Sequence, residues 1–363
     1  MTPSFEHQAR ADFAETDHAA FHLQQTGRRA GNPRPAAPLH IVTPLLDADI
    51  HGRKVGLKLE NLQPARSFKL RGIGKLCQHH AARGIQRFVC SSAGNAGYAV
   101  AWAGRALGIP VTVVVPGSTP EHVRRRINSL GARVHVVGDV WDHANAAAVD
   151  LARSPDCAYI PPFDHPVLWQ GHASLIDELV IQCERAPDAI VLAVGGGGLL
   201  LGVLEGLARV GWRDTRVFAV EPECASSLGP SLQLGRVVEL EQPRSVASSL
   251  CVKRVAPSLV AACAGRKVTP LTVSDDEATH ACVRLAEDHG QVVEPACGAA
   301  LAPLYADHPA LAGMRSVVAI VCGGMVVTLE QLAQWSHAPT TPFGDLSSAA
   351  PSLAGPVAAR HRP

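Results

Sequence analysis

The segment Ala189-Ile190-Val191-Leu192-Ala193-Val194-Gly195-Gly196-Gly197-Gly198-Leu199 passes from an apolar, β-branched run through four consecutive glycines into a helical pattern. Residues 189–194 read as a buried strand, residues 199–210 as a helix and residues 216–220 as a second strand. Together they make one strand–helix–strand unit of a parallel sheet. Four glycines in a row are costly to order unless something needs the bare backbone. A phosphate held by backbone N–H groups at a helix N-terminus is such a need. The stretch also approaches a dinucleotide fingerprint, because the second strand ends at the acid Glu221, about 20 residues on. A nicotinamide oxidoreductase is therefore a rival, weakened by a glycine run that is not GxGxxG.

Outward from this unit the alternation continues. Arg87–Cys90 reads as a strand, Asn95–Leu107 as a helix closed by Gly108, and Val111–Val115 as a strand. Residues 120–130 form a helix ended by Gly131, 133–137 a strand and 140–153 a helix. Later, Ser274 caps a helix with an acidic first turn, and residues 316–321 form an apolar strand ending at Cys322-Gly323-Gly324. Two α/β units imply a cleft, with ligands outside the carboxyl ends of the strands.

Three strand-end stretches besides the glycine run carry candidate chemistry. In Pro64-Ala65-Arg66-Ser67-Phe68-Lys69-Leu70-Arg71-Gly72, Pro64 discourages helix before it and Ser67 can cap the helix that follows. Lys69 then sits in a first helical turn, where N–H groups and the dipole disfavour positive charge and lower an amine's pKa. A less protonated amine is a better nucleophile towards a carbonyl. The same pattern also fits a surface lysine in a capped helix. Cys90-Ser91-Ser92-Ala93-Gly94-Asn95-Ala96-Gly97 offers hydroxyl, amide and backbone donors suited to a carboxylate, or equally an ordinary turn with Asn95 as cap. Cys322 fits a buried structural thiol or a contact to a cofactor ring edge.

The chain has 363 residues, 18% of them charged, and a net charge of +1, which points away from nucleic acid and towards a small-molecule ligand. Ten cysteines without a CxxC pair, no apolar signal segment and no run long enough to span a bilayer predict a cytoplasmic protein with reduced thiols. Seventeen histidines form no metal-binding spacing. Residues 1–35 and 337–363 are polar or rich in Pro, Ala and Ser, and are expected to be disordered.

Taken together, Ser67-Phe68-Lys69, Ser91 to Gly97, Gly195 to Gly198, Glu294-Pro295-Ala296-Cys297-Gly298-Ala299 and Cys322-Gly323-Gly324 resemble the pyridoxal-phosphate lyases of fold type II. Within that group the chain is similar to the liver-type L-serine dehydratases/L-threonine deaminases. The resemblance spans about residues 40–335 and includes Ile160-Pro161-Pro162-Phe163-Asp164 and Gly171-His172-Ala173-Ser174. It implies an α/β fold like that of the tryptophan synthase β chain, with two domains, each an open twisted parallel-rich sheet flanked by helices. The large cofactor domain would comprise residues 36–59 and 166–336, and the small substrate domain residues 60–165.

The resemblance also implies roles. Lys69 would hold pyridoxal 5'-phosphate as a Schiff base and later remove the Cα proton, with Phe68 packed near the ring. Gly195, Gly196, Gly197 and Gly198 would bind the phosphate, and Cys322 the pyridine nitrogen. Ser92, Ala93, Gly94 and Asn95 would hold the substrate carboxylate, Asn95 also reaching the phenolic oxygen. Racemases of this fold place a serine at the position of Ala93, so racemisation should be slight. Glu221, Ala225, Leu250 and Val252 match a monovalent-cation site, usually potassium. The expected reaction is β-elimination from L-serine and L-threonine by a homodimer, without the regulatory domain of biosynthetic threonine deaminases. The alternatives are a cysteine-synthase-like or D-amino-acid-specific relative, the NAD(P)-dependent oxidoreductase, or a catalytically silent binding protein.

Overall fold

A computed structural model describes residues 37–337 of the chain. The expected disordered ends, residues 1–35 and the tail beyond His337, lie outside the described residues. The strands are β1 (Leu45–Ile50), β2 (Arg53–Lys58), β3 (Arg87–Cys90), β4 (Val111–Val115), β5 (Arg133–Val136), β6 (Cys157–Tyr159), β7 (Ala189–Ala193), β8 (Arg216–Pro222), β9 (Val268–Val273) and β10 (Ser316–Ile320). The helices in the first half are α1 (Lys69–Ala81), α2 (Asn95–Leu107), α3 (Glu121–Asn128), α4 (Trp141–Leu151) and α5 (Pro166–Gln182). Those in the second are α6 (Gly198–Val210), α7 (Leu228–Leu234), α8 (Ser258–Cys263), α9 (Asp275–His289), α10 (Pro295–Tyr305) and α11 (Leu329–Ser336).

Two sheets organise these elements, one of six strands in the order β1-β2-β10-β7-β8-β9 and one of four in the order β5-β4-β3-β6. β1 and β2 form an antiparallel hairpin, and the other pairings are parallel. The hairpin turns on His51 and Gly52, at φ 54° and 71°, the left-handed pair whose twist suits a two-residue loop. Helices cover both faces of a parallel sheet, so its central strands are apolar throughout, and all five residues of β7 are buried. Leu200, Leu204, Phe218 and Leu301 belong to the core of the larger sheet, and Ile73, Val100, Val113 and Ile127 to that of the smaller.

The four-stranded sheet falls within residues 60–165 and the six-stranded sheet outside them. From Pro38 onward the described residues pack as one compact unit. Most elements start and stop within a residue or two of the sequence pattern. β8 continues to Pro222 because β9 pairs with it as far as Val273. Ser274 caps α9 through a reciprocal box with Glu277.

Ser67 does not cap α1, contrary to the sequence reading. Phe68 occupies the cap position with helical backbone and no side-chain cap bond, while Ser67 is buried in a bridge to Gly323. Among the described residues all ten cysteines are free, and no helix is long and apolar enough to cross a membrane.

Candidate active site

The start of α1 is stitched to the end of β10. Phe68 N donates to Cys322 O at 3.0 Å, and Gly324 N donates to Arg66 O at 3.1 Å. A Cβ on Gly323 would lie 2.8 Å from Ser67 Cβ, so only glycine permits this approach. These bonds bring Lys69 to the strand end that carries Cys322. Lys69 Nζ donates to Pro162 O at 2.7 Å and lies 5.0 Å from the Phe68 ring centroid. Burial lowers its pKa to about 8, against the opposing influence of Cys322, Cys90 and Glu294. Desolvation is the leading cause.

Behind Lys69 lies a buried charge cluster that the sequence reading missed. Arg71, fully buried, donates Nε and Nη2 to Glu60 at 2.6 and 2.7 Å, and Nη1 and Nη2 to Glu178 at 2.6 and 2.8 Å. Lys58 Nζ joins Glu178 at 2.5 Å and Thr43 O at 2.8 Å. Two cations and two carboxylates balance, and the paired fork geometry satisfies charges that would otherwise be very costly to bury. The cluster ties α1 to β2, α5 and the segment entering β1.

The glycine run joins β7 to α6, with Gly195 half-buried and Gly196, Gly197 and Gly198 buried. Gly197 has φ 84°, the left-handed region, at the N-cap of α6. A Cβ on Gly196 would lie 2.3 Å from the Phe163 ring, and one on Gly198 would lie 2.5 Å from Phe163 O. Packing by Phe163 thus supplies a reason for the glycines beyond any ligand. The backbone N–H groups of Gly195, Gly196, Gly197 and Gly198 close no turn or cap among the described residues. Buried donors of that kind call for an acceptor, and a phosphate at this helix start fits them.

The loop from Ser91 to Gly97 joins β3 to α2. Ser91 is turned away from any ligand, bonded to Asn145 Oδ1 at 2.8 Å and the Tyr159 hydroxyl at 2.9 Å. Ser92, Ala93 and Gly94, three of the four residues expected to hold a carboxylate, are the partly exposed members. Asn95 begins α2 and caps nothing; Nδ2 donates to Glu294 Oε1 at 2.7 Å, and Oδ1 is buried without a partner. Ser249 Oγ donates to the same Glu294 oxygen at 2.7 Å. Glu294 and Ser249 are further residues that sequence reasoning left without a role. Their only signal was the Glu-Pro pair that opens α10.

Cys322 is buried, and its thiol is held well above its usual value by a hydrogen bond with Cys297 and then by burial. The Phe68 ring packs against His172, centroids 4.9 Å apart, and burial holds that imidazole well below its usual value, hence neutral. A reactive amine, a neutral thiol and a loop of unpartnered N–H groups suit a phosphorylated aldehyde cofactor.

Glu221 fits the nicotinamide rival poorly. It is fully buried and accepts from Ser227 N and Leu228 N at 2.8 Å, Ser226 Oγ at 3.0 Å and Gly229 N at 3.1 Å. Those four donors use the lone pairs of a carboxylate, leaving nothing to hold a ribose. A cation at Glu221, Ala225, Leu250 and Val252 would have to displace some of them. As placed, Glu221 stabilises the turn leading into α7.

Comparison with known proteins agrees with this geometry. A profile described as pyridoxal-phosphate dependent enzyme matches residues 36–323. A serine dehydratase-like protein of Mus musculus is 46% identical over 311 residues, covering 82% of this chain and 94% of its own. L-serine dehydratase/L-threonine deaminase of Bos taurus is 46% identical over 308 residues, covering 81% of this chain and 94% of its own. The crystal structure of a fungal L-serine ammonia-lyase from Rhizomucor miehei superposes with a TM-score of 0.77 at 36% identity, covering 82% of this chain and 98% of that one. With the lysine, the glycine loop and the strand-end cysteine brought together by one fold, the chain belongs to the pyridoxal-phosphate dependent enzyme family.

Proposed function

We propose that this chain converts L-serine to pyruvate and ammonia, and L-threonine to 2-oxobutanoate and ammonia, with pyridoxal phosphate as its cofactor. The observation that carries the proposal is the position of Lys69, whose amine meets Pro162 O at 2.7 Å at the strand end that carries Cys322. Its relatives named as serine dehydratases and L-serine ammonia-lyase supply the substrate class. Bound there, pyridoxal phosphate supplies an electron sink for charge developing at the substrate Cα.

The residues divide the remaining work. Lys69 Nζ would hold the cofactor and would take the Cα proton of the substrate; its lowered pKa leaves a useful neutral fraction near pH 7. The N–H groups of Gly195, Gly196, Gly197 and Gly198 would hold the phosphate, and Phe68 would pack near the ring. Ser92, Ala93, Gly94 and Asn95 bind the carboxylate of the amino acid. Ala93 has no hydroxyl with which to return a proton to the opposite face, which favours elimination over racemisation. Cys322 would face the ring nitrogen as a neutral thiol, so nothing there would fix a positive charge. Elimination would tolerate this because the β-hydroxyl leaves as the Cα–H bond breaks, the proton taken from Cα balancing the one with which the hydroxyl departs as water.

The proposal extends to a homodimer in the cytoplasm, the latter supported by ten free cysteines among the described residues. A small domain over residues 60–165 belongs to it as well, and a cation near Glu221 would take the place of donors that now hold that carboxylate. The test is pyruvate release by the purified protein with pyridoxal phosphate and potassium, offered L-serine, L-threonine and D-serine in parallel. Release of the keto acids from the two L-substrates alone is expected. A visible cofactor band without keto acid would refute the substrate, and neither band nor product would refute the whole reading.

A further inference from the structure

Glu294, at the N-cap of α10, is 1% exposed and lies between Asn95 of α2 and Ser249 of a short 3-10 turn. Its Oε1 accepts from Asn95 Nδ2 and Ser249 Oγ, both at 2.7 Å, and its Oε2 from Val326 N at 3.4 Å. Among the described residues no Lys, Arg or His pairs with it. An ionised carboxylate so placed is an unpaired buried charge, which is costly. Asn95 Oδ1 meanwhile is buried without a donor. Both faults share one remedy. A carboxamide turned by half a revolution has the same shape, and it sets Oδ1 rather than Nδ2 against Glu294. That arrangement requires a proton on Glu294.

We infer that Glu294 is a neutral carboxylic acid whose O–H donates to Asn95 Oδ1, so that Asn95 Nδ2 faces the cofactor site as a donor. Ser249 Oγ–H keeps its bond to Glu294 in this arrangement and helps hold the acid in place. The inference rests on the proposed contact between Asn95 and the cofactor's phenolic oxygen. An ionised phenolic oxygen accepts hydrogen bonds, so Nδ2 suits it and Oδ1 would be repelled. Glu294 is thus a positioning residue, acting through Asn95. Burial does hold its carboxyl above the usual range, opposed by hydrogen bonds from Ser249, Asn95 and Val326 and by the charge of Lys69. The other titratable groups facing it are the thiols of Cys322 and Cys282, both held neutral by their surroundings.

The test is an infrared difference spectrum of the cofactor-loaded enzyme, wild type minus Glu294→Gln, in H2O and D2O. A protonated carboxyl carbonyl band that shifts in D2O is expected, absent from the variant. Glu294→Gln can donate from its amide to Asn95 Oδ1 and should bind the cofactor within about threefold of wild type. Glu294→Ala, which leaves Asn95 without that partner, should bind about tenfold or more weakly. An ionised carboxylate band overturns the inference, as does Glu294→Gln losing the cofactor as badly as Glu294→Ala. If wild type shows a visible cofactor band but an ionised Glu294, this inference alone fails. If no visible band forms with pyridoxal phosphate, the parent reading fails and takes the inference with it.

Discussion

Replacing Arg71 with Leu tests whether the buried charge cluster holds the first turn of α1 in place. Arg71 is fully buried and makes four bonds of 2.6–2.8 Å to Glu60 and Glu178. Lys58 stays with Glu178 in the variant, but Glu60, itself fully buried, loses its cation. Breaking a buried pair on one side costs about 3–5 kcal/mol, because the other charge is left uncompensated. At roughly 4 kcal/mol the folded-to-unfolded ratio falls about a thousandfold. Urea unfolding should show this as a lower midpoint. Adding Glu60→Gln removes the stranded charge, so the double variant should recover about 2 kcal/mol relative to the sum of the single changes. Because Lys69 lies in the same first turn, Arg71→Leu should also slow turnover more than it weakens cofactor binding. A loss below about 1 kcal/mol, or single effects that simply add, would refute a cluster coupled in this way.

Other outcomes follow from the same site. Capture of pyridoxal phosphate by the cofactor-free protein should accelerate as pH rises through about 8, where Lys69 loses its proton, and a midpoint near that of an ordinary lysine would refute the buried amine. The same shift has a stability sign: the unfolded chain binds the Lys69 proton more tightly, so this group's penalty should fade between pH 8 and the usual lysine range, as denaturation at several pH values would reveal. Gly198→Ala places a Cβ 2.5 Å from Phe163 O, a backbone atom that cannot easily yield, and should weaken cofactor binding at least tenfold by equilibrium dialysis. Unchanged binding would remove the loop from the phosphate site. Cys322→Asp should slow release of pyruvate and raise side reactions by fixing charge at the ring nitrogen, and unchanged steady-state kinetics would deny the thiol that role.

Much of the architecture was legible because its signals are local. Strands β3 and β4 and helix α2 match their sequence patterns residue for residue, since β-branched runs and glycine stops act within a few neighbours. The hairpin turn at His51 and Gly52 was missed, its left-handed histidine being a weak signal. The cap at Ser67 failed for the opposite reason. A local cap is worth about 1 kcal/mol, and a buried bridge to Gly323 outweighs it.

The sequence by itself determined the candidate reacting groups and the order in which they occur: Lys69, the loop up to Gly97, the glycine run and Cys322. Chemistry of that kind depends on residue type and on strand-to-helix junctions, both written in short stretches. Only the tertiary structure decided what surrounds them. Pro162 O receives the Lys69 amine across 93 positions, and Asn95 reaches Glu294 across 199. Arg71 finds Glu178 across 107. No local pattern encodes such pairings, because they arise when distant segments share one desolvated space. Desolvation is also what brings the Lys69 amine into a useful range.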